Sequence, residues 1–386
     1  MEKIIVTHKG RVDLEPEMVG LDGGRLALLR EHFSRLIDAN KLQAASYLVA
    51  RGGQIVMNES LGKLTNQEDS TDLLPLSPRR VYSITKMFTS VAIMQLVEQG
   101  KLYVHQQVSD IIPEFDNELH RKISIWHLLT HTSGLMGDPG SNGEAYPLPW
   151  YDWWVGVSKD KAKSWETKDW LRIVLGGRLM SKPGEKCTYC SSGFAILGEV
   201  IARITGMSYE DYILKHIAKP LGMERTFFVV PEHLRKETCY VNGFEYGNIF
   251  EPKDRTSMPP LASNGLYSTT EDLWKLGEAL LNKGTLNGAE ILSRRSVATL
   301  VTNQLKDIPS NSWGMNVSDY PMALGLSLKD EDLCTPGTYS HEGFGHSGLY
   351  IDPHEKLIFS YLVPNKVGYV PEAVTNPRAI VWSALL

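Results

Sequence analysis

The chain has 386 residues, 42% of them apolar and 22% charged, with a formal net charge of −5. That is the balance of an ordinary globular protein with room for a substantial core, and mild negative charge without a basic tract excludes nucleic acid as a partner. No run approaches the length of a membrane span, Met1 to Lys9 lack the apolar core of a secretory signal, and Cys187, Cys190, Cys239 and Cys334 are too scattered for a disulfide framework, so a cytoplasmic location is expected.

Residues 1–20 read as an irregular leader and 21–386 as one catalytic unit. Asp22 is placed to cap a helix carrying Leu26, Leu29, Phe33, Leu36 and Ile37 at helical spacing. Strands follow over Ala45–Ala50 and Gln54–Glu59, with Gly52-Gly53 suited to the tight turn between them. Leu61 to Arg80 reads as loop. Next comes a helix of Met87, Phe88, Val91, Ala92, Ile93, Met94, Leu96 and Val97, apolar nearly all round and stopped by Gly100, which belongs in the middle of a large core.

Beyond it, Ile123–Thr130 reads as a short helix ended by Ser133-Gly134. From Gly137 to Pro183 glycine, proline and tryptophan dominate, as in a functional loop or lid; Trp150, Trp153 and Trp154 fit either a substrate wall or a small helical subdomain packing its own rings. Tyr189 precedes a helix through Phe194, Leu197, Val200, Ile201 and Ile204 that ends at Gly206, and another helix covers Tyr209–Ile217. Ser268 and Glu271 form a capping box for a helix to Leu281. A closing hairpin reads as one strand over Tyr339–Ile351, a turn at Asp352–Glu355 and a second strand over Lys356–Val363, with a last helix near Pro377–Leu386. Strands near both ends with helices between them predict an α+β fold. A central antiparallel sheet joins the chain ends (about 21–80 and 261–386), helices flank it, and a mostly helical part is inserted over about 81–260.

The chemistry points to Ser83 and Lys86. Residues three apart share a helix face, so the amine stands one turn above the hydroxyl, where free backbone N–H groups and the positive end of the dipole would favour a developing oxyanion. Capping alone does not account for the pair, because a cation in a first turn opposes the dipole. Ser158-Lys159-Asp160-Lys161 repeats the spacing in a charged run and has no apolar helix after it. Other catalytic patterns fail: G-x-S-x-G is absent, and His341-Glu342-Gly343-Phe344-Gly345-His346 has the wrong spacing for a zincin. Cys187-x-x-Cys190 has no second pair with ligand spacing, and no nucleotide-binding loop occurs. No metal and no cofactor is expected.

With Ser83-x-x-Lys86, Tyr189 and His346-Ser347-Gly348 in this order, the chain resembles the serine β-lactamase and penicillin-binding-protein superfamily, in its class C-like branch with the family VIII carboxylesterase-like esterases. His127 to Leu135, Leu221 to Thr226 and Asn264 to Leu273 add to the likeness. The resemblance implies a β-lactamase/transpeptidase-like fold and a nucleophilic Ser83, with Lys86 and Tyr189 as shared general base. The ammonium of Lys86 would bring the phenol toward neutral pH. It also implies a site role for His346, an oxyanion hole from the backbone N–H groups of Ser83 and Leu349, and substrate contacts from Ser191, Ser347 and Gly348. Three departures stand out. Tyr189-Cys190-Ser191 occupies the place of Tyr-x-Asn, His346-Ser347-Gly348 that of Lys-Thr-Gly, and Gly348 to Pro353 is several residues shorter than the usual connection. The implied reaction is hydrolysis of a small acyl ester through an acyl-serine; a D-amino-acid peptidase or amidase, a weak β-lactamase and an acyltransferase share that chemistry. A catalytically silent binding scaffold is the reading from another class.

Overall fold

The computed structural model describes residues 5–138, 170–241, 259–310, 312, 317–329 and 333–386. Trp150, Trp153 and Trp154 lie outside them. Seven strands form one antiparallel sheet: β1 (Thr7–Lys9), β2 (Ala44–Arg51), β3 (Gln54–Gly62), β4 (Ser327–Lys329), β5 (Thr338–Gly343), β6 (Ser347–Asp352) and β7 (Leu357–Leu362). Their spatial order is β1-β3-β2-β7-β6-β5-β4, so the two ends of the chain meet where β2 pairs with β7. Between β2 and β3 the turn residues Gly52 and Gly53 have φ of 59° and 81°, the left-handed values a two-residue hairpin turn requires.

Strand alternation divides the core in two. Tyr47, Val49, Tyr350, Phe359 and Tyr361 face one side, where they pack with Leu26, Leu29 and Phe33 of α1 (Gly23–Asp38) and with Val381 and Trp382 near the C-terminus. Leu48, Ala50, Leu349, Ile351, Ile358 and Leu362 face the other side, against the main helical core. Asp22 caps α1 by accepting from the Arg25 amide, as the spacing predicted. In α2 (Thr85–Glu98) every residue from Thr85 to Leu96 is buried, which fits a helix with no polar face. The chain enters it through a 3-10 turn, Tyr82–Ile84, so Ser83 sits in the tight turn that feeds the helix. Against α2 packs α4 (Ser191–Thr205), which also carries α3 (Ile125–Leu129), while α5 (Thr270–Leu281) lies on the sheet over β2, β6 and β7. No helix among the described residues is long and apolar enough to cross a membrane.

Two expectations about the last third need correction. The cap of α5 is Thr269, whose side chain accepts from the Asp272 amide at 3.1 Å, one residue later than the predicted box at Ser268. The hydroxyl of Ser268 instead pairs with that of Thr226. More consequentially, Tyr339–Ile351 is not one strand. Gly345 and His346 have φ of 70° and 62°, and two successive left-handed residues reverse the chain, so the segment folds back as β5 and β6. Every motif residue after Gly343 therefore moves one strand deeper into the sheet.

Candidate active site

The site forms where the start of α2, the end of β5 and the segment leading into α4 converge. Tyr82, immediately before the serine, has φ of 48°, a left-handed conformation that costs a bulky residue about 1–2 kcal/mol. Its surroundings hold it there. The Thr85 hydroxyl donates to the Tyr82 carbonyl at 2.6 Å, the Val81 amide donates to Leu266 O at 2.9 Å, and the Ser347 hydroxyl donates to Val81 O at 2.8 Å. Gly343 closes in from β5: a β-carbon there would lie 2.4 Å from Val81 O and 3.2 Å from the Ser83 nitrogen. Only a residue without a side chain lets this strand approach so closely.

Ser83, half-buried, is hydrogen-bonded on two sides. Lys86 Nζ donates to its hydroxyl at 3.1 Å, and the phenol of Tyr189 bonds the same hydroxyl. Lys86 is 0% exposed and has further contacts with Ser191 Oγ at 3.2 Å and Ser263 O at 3.0 Å, while its Nζ lies 4.7 Å from the Tyr189 ring centre. Burial brings its pKa down to about 8, against the opposing influence of Asp138 and Cys190. For Tyr189 the shift runs opposite to the one expected. Burial and the Asp138 carboxylate hold the phenol well above its ordinary value, with the Ser83 hydrogen bond acting the other way. Desolvation first, and then the carboxylate, favour the protonated phenol at rest.

Two histidines complete this wall. His131 packs against Tyr189 with ring centres 4.4 Å apart and the rings tilted by 38°, and its Nδ1 accepts from the Cys190 amide at 3.1 Å, which leaves the proton on Nε2. Burial, with Lys86 and His341 nearby, keeps it neutral by lowering its pKa far below the usual value. His341, on β5, is 5% exposed, lies 6.3 Å ring to ring from Tyr189 and donates through Nδ1 to Glu342 O at 2.7 Å.

His346 does not join them. In the reversal after β5 it turns the other way, stacks on Tyr369 at 5.4 Å and accepts from the Val370 amide at 3.0 Å. Leu349 is unsuited as an oxyanion donor: β6 is flanked by β5 and β7, so its backbone belongs to ladders on both sides. Gly348 is small because Tyr361 lies over it, a β-carbon there falling 2.4 Å from the ring. Ser347 anchors Val81 rather than substrate. The strand beside the nucleophile carries His341-Glu342-Gly343 instead. Only the short Gly348–Pro353 connection signalled this in the sequence. Ser191 does reach the site, where its hydroxyl accepts from Lys86 and donates to Asp138 Oδ2 at 2.6 Å. Asp138 and His131 escaped sequence reasoning. His131 lies within the stretch His127 to Leu135 that carried part of the family likeness, whereas nothing in the pattern marked Asp138.

With this geometry in place, comparison with known proteins assigns the family. The β-lactamase family model matches residues 29–381, and the chain belongs to that family. Penicillin-binding protein 4 of Amycolatopsis lactamdurans is 29% identical over 76% of this chain and 71% of its own length. Two solved structures share the fold. One is a family VIII carboxylesterase (TM-score 0.70, 19% identity, covering 95% of this chain and 98% of that one), and the other is EstCE1, a hydrolase with promiscuous acyltransferase activity (TM-score 0.73, 18% identity, 94% and 98%).

Proposed function

We propose that the chain is a serine esterase working through an acyl-Ser83 intermediate. The observation that carries this reading is the contact of one hydroxyl with two groups: Ser83 bonds both the Lys86 amine and the Tyr189 phenol. With a pKa of about 8, Lys86 is a free amine in roughly one molecule in ten at pH 7, enough to act as base. As Ser83 Oγ forms its bond to the acyl carbon, its proton passes to Lys86. The C–O bond to the leaving group then breaks, Tyr189 gives that oxygen its proton, and the Lys86 ammonium restores the phenol. Water attacks the acyl-enzyme by the reverse proton path, releasing the acid and free Ser83.

The oxyanion would be met by the backbone N–H of Ser83 and by that of Phe344, which takes the role first expected of Leu349. Gly343 supports this, because its close approach to the Ser83 amide brings the next peptide to the same place. An ester is favoured over a peptide because Ser191 stands where many relatives carry an amide side chain, and Asp138 already takes both its hydroxyl and its N–H. A silent scaffold is disfavoured: an unused lysine buried this completely is a cost without return. Incubation with a fluorophosphonate followed by peptide mass spectrometry should label Ser83, and a chain that takes no adduct is not this enzyme. A panel of nitrophenyl esters, D-alanyl peptides and nitrocefin separates esterase from peptidase and β-lactamase.

A further inference from the structure

Asp138 is an ionisable group of the site that the proton path above leaves unused. Asp138 Oδ1 accepts from the Ser191 amide at 2.7 Å, its Oδ2 from the Ser191 hydroxyl at 2.6 Å, and its own amide donates to Tyr189 O at 2.8 Å. Burial raises its pKa, while Lys86 and the two Ser191 hydrogen bonds favour the charged form, in which both oxygens accept; its three bonds fix it on the wall that carries Tyr189 and Lys86. It is half-buried, leaving part of it open to whatever enters. Around it are the Lys86 amine, the Tyr189 phenol and the Cys190 thiol.

The charge balance changes during the reaction. At rest the Lys86 ammonium opposes Asp138 through the shared Ser191 hydroxyl. Attack by Ser83 requires Lys86 as the free amine, while His131 stays neutral and Tyr189 keeps its proton. In the reactive form Asp138 is therefore uncompensated within this group. A fixed negative charge in a partly desolvated cleft repels a second one nearby.

We infer that Asp138 is a specificity-determining residue that restricts the site to acyl donors that are neutral or cationic near the scissile carbonyl and turns away those with a carboxylate there. This rests on the esterase reading of the preceding section and names its substrate class.

The test compares kcat/KM for 4-nitrophenyl butyrate, mono-4-nitrophenyl succinate and 4-nitrophenyl 4-(trimethylammonio)butyrate, which differ mainly in acyl charge. The native protein should turn over the succinate on the order of tenfold less efficiently than the butyrate, with the cationic ester no worse. Asp138→Asn should close most of that gap, read as a ratio within each variant so that a change in overall rate does not matter. Should the variant fail to fold, the native protein in about 1 M salt should show the same narrowing, because screening then acts within about 3 Å. A succinate-to-butyrate ratio unmoved by both Asp138→Asn and salt, or a native preference for the succinate, overturns the inference and leaves the esterase intact. If no ester turns over and Ser83 takes no fluorophosphonate, the esterase reading and this inference fall together.

Discussion

Gly343 leaves no room for a side chain beside Ser83: a β-carbon on Gly343 would stand 3.2 Å from the Ser83 nitrogen and nearer still to the Val81 carbonyl. The last residue of β5 thus sets how closely the sheet meets the nucleophile's turn. Gly343→Ala should push β5 off that turn, costing about 1–3 kcal/mol of stability and about a hundredfold in kcat/KM as an oxyanion donor is displaced. Denaturant melts and ester kinetics on one preparation check both. A variant with native kinetics would show that β5 has no part in the reaction.

The pH dependence follows from Lys86. The amine must be unprotonated to accept the Ser83 proton, so kcat/KM should climb about tenfold per pH unit below the Lys86 pKa of about 8 and level off above it. Asp138 raises that pKa, so Asp138→Asn should move the midpoint to lower pH. A profile flat from pH 6 to 9, in roughly the range where a base of this pKa titrates, removes Lys86 from the role.

Tyr189→Phe keeps the ring packed against His131 and removes only the hydroxyl. With the proton path to the leaving group cut, kcat should fall on the order of 10²–10⁴-fold while the Lys86-governed midpoint persists. Stopped-flow detection of the acyl-enzyme places the loss in its formation, its breakdown or both. Retention of near-native kcat would assign proton delivery to another group.

The two histidines near the end of β5 should separate cleanly. His341→Ala should depress kcat/KM with little change in stability. His346→Ala should leave the Val370 amide without its acceptor and cost about 1–3 kcal/mol while catalysis survives. Swapped phenotypes would place the histidine of the β5–β6 turn, not the β5 one, at the substrate.

Acid should destabilise the fold. Burial lowers the pKa of His32, His120, His131 and His346, and that of His127 to about 4. The unfolded chain takes these protons near its ordinary value while the folded one resists. Stability therefore falls as pH drops below about 6.5, by up to about 1.4 kcal/mol per pH unit for each such histidine. Urea midpoints at pH 7 and pH 5 measure it, and a midpoint that does not fall would mean the rings are protonated in the native state.

Much of this protein was legible from its sequence because the relevant signals are local. The buried helix after Ser83, the Asp22 cap, the Gly52-Gly53 turn and the Ser83–Lys86 spacing are each settled within a few residues by periodicity, capping and backbone sterics. The approach of Tyr189 to that pair was legible only through likeness to other chains, since no local rule links positions a hundred residues apart. Three matters were left to tertiary structure. The reversal at Gly345-His346 decided which histidine faces the cleft, because an alternating glycine-rich run fits one long strand or two short ones until sheet partners choose. Burial next to Asp138 decided that the phenol keeps its proton, and the docking of Asp138 on Ser191 decided the charge of the wall. Each depends on desolvation and on charges from distant segments, which exist only once the chain has closed around them.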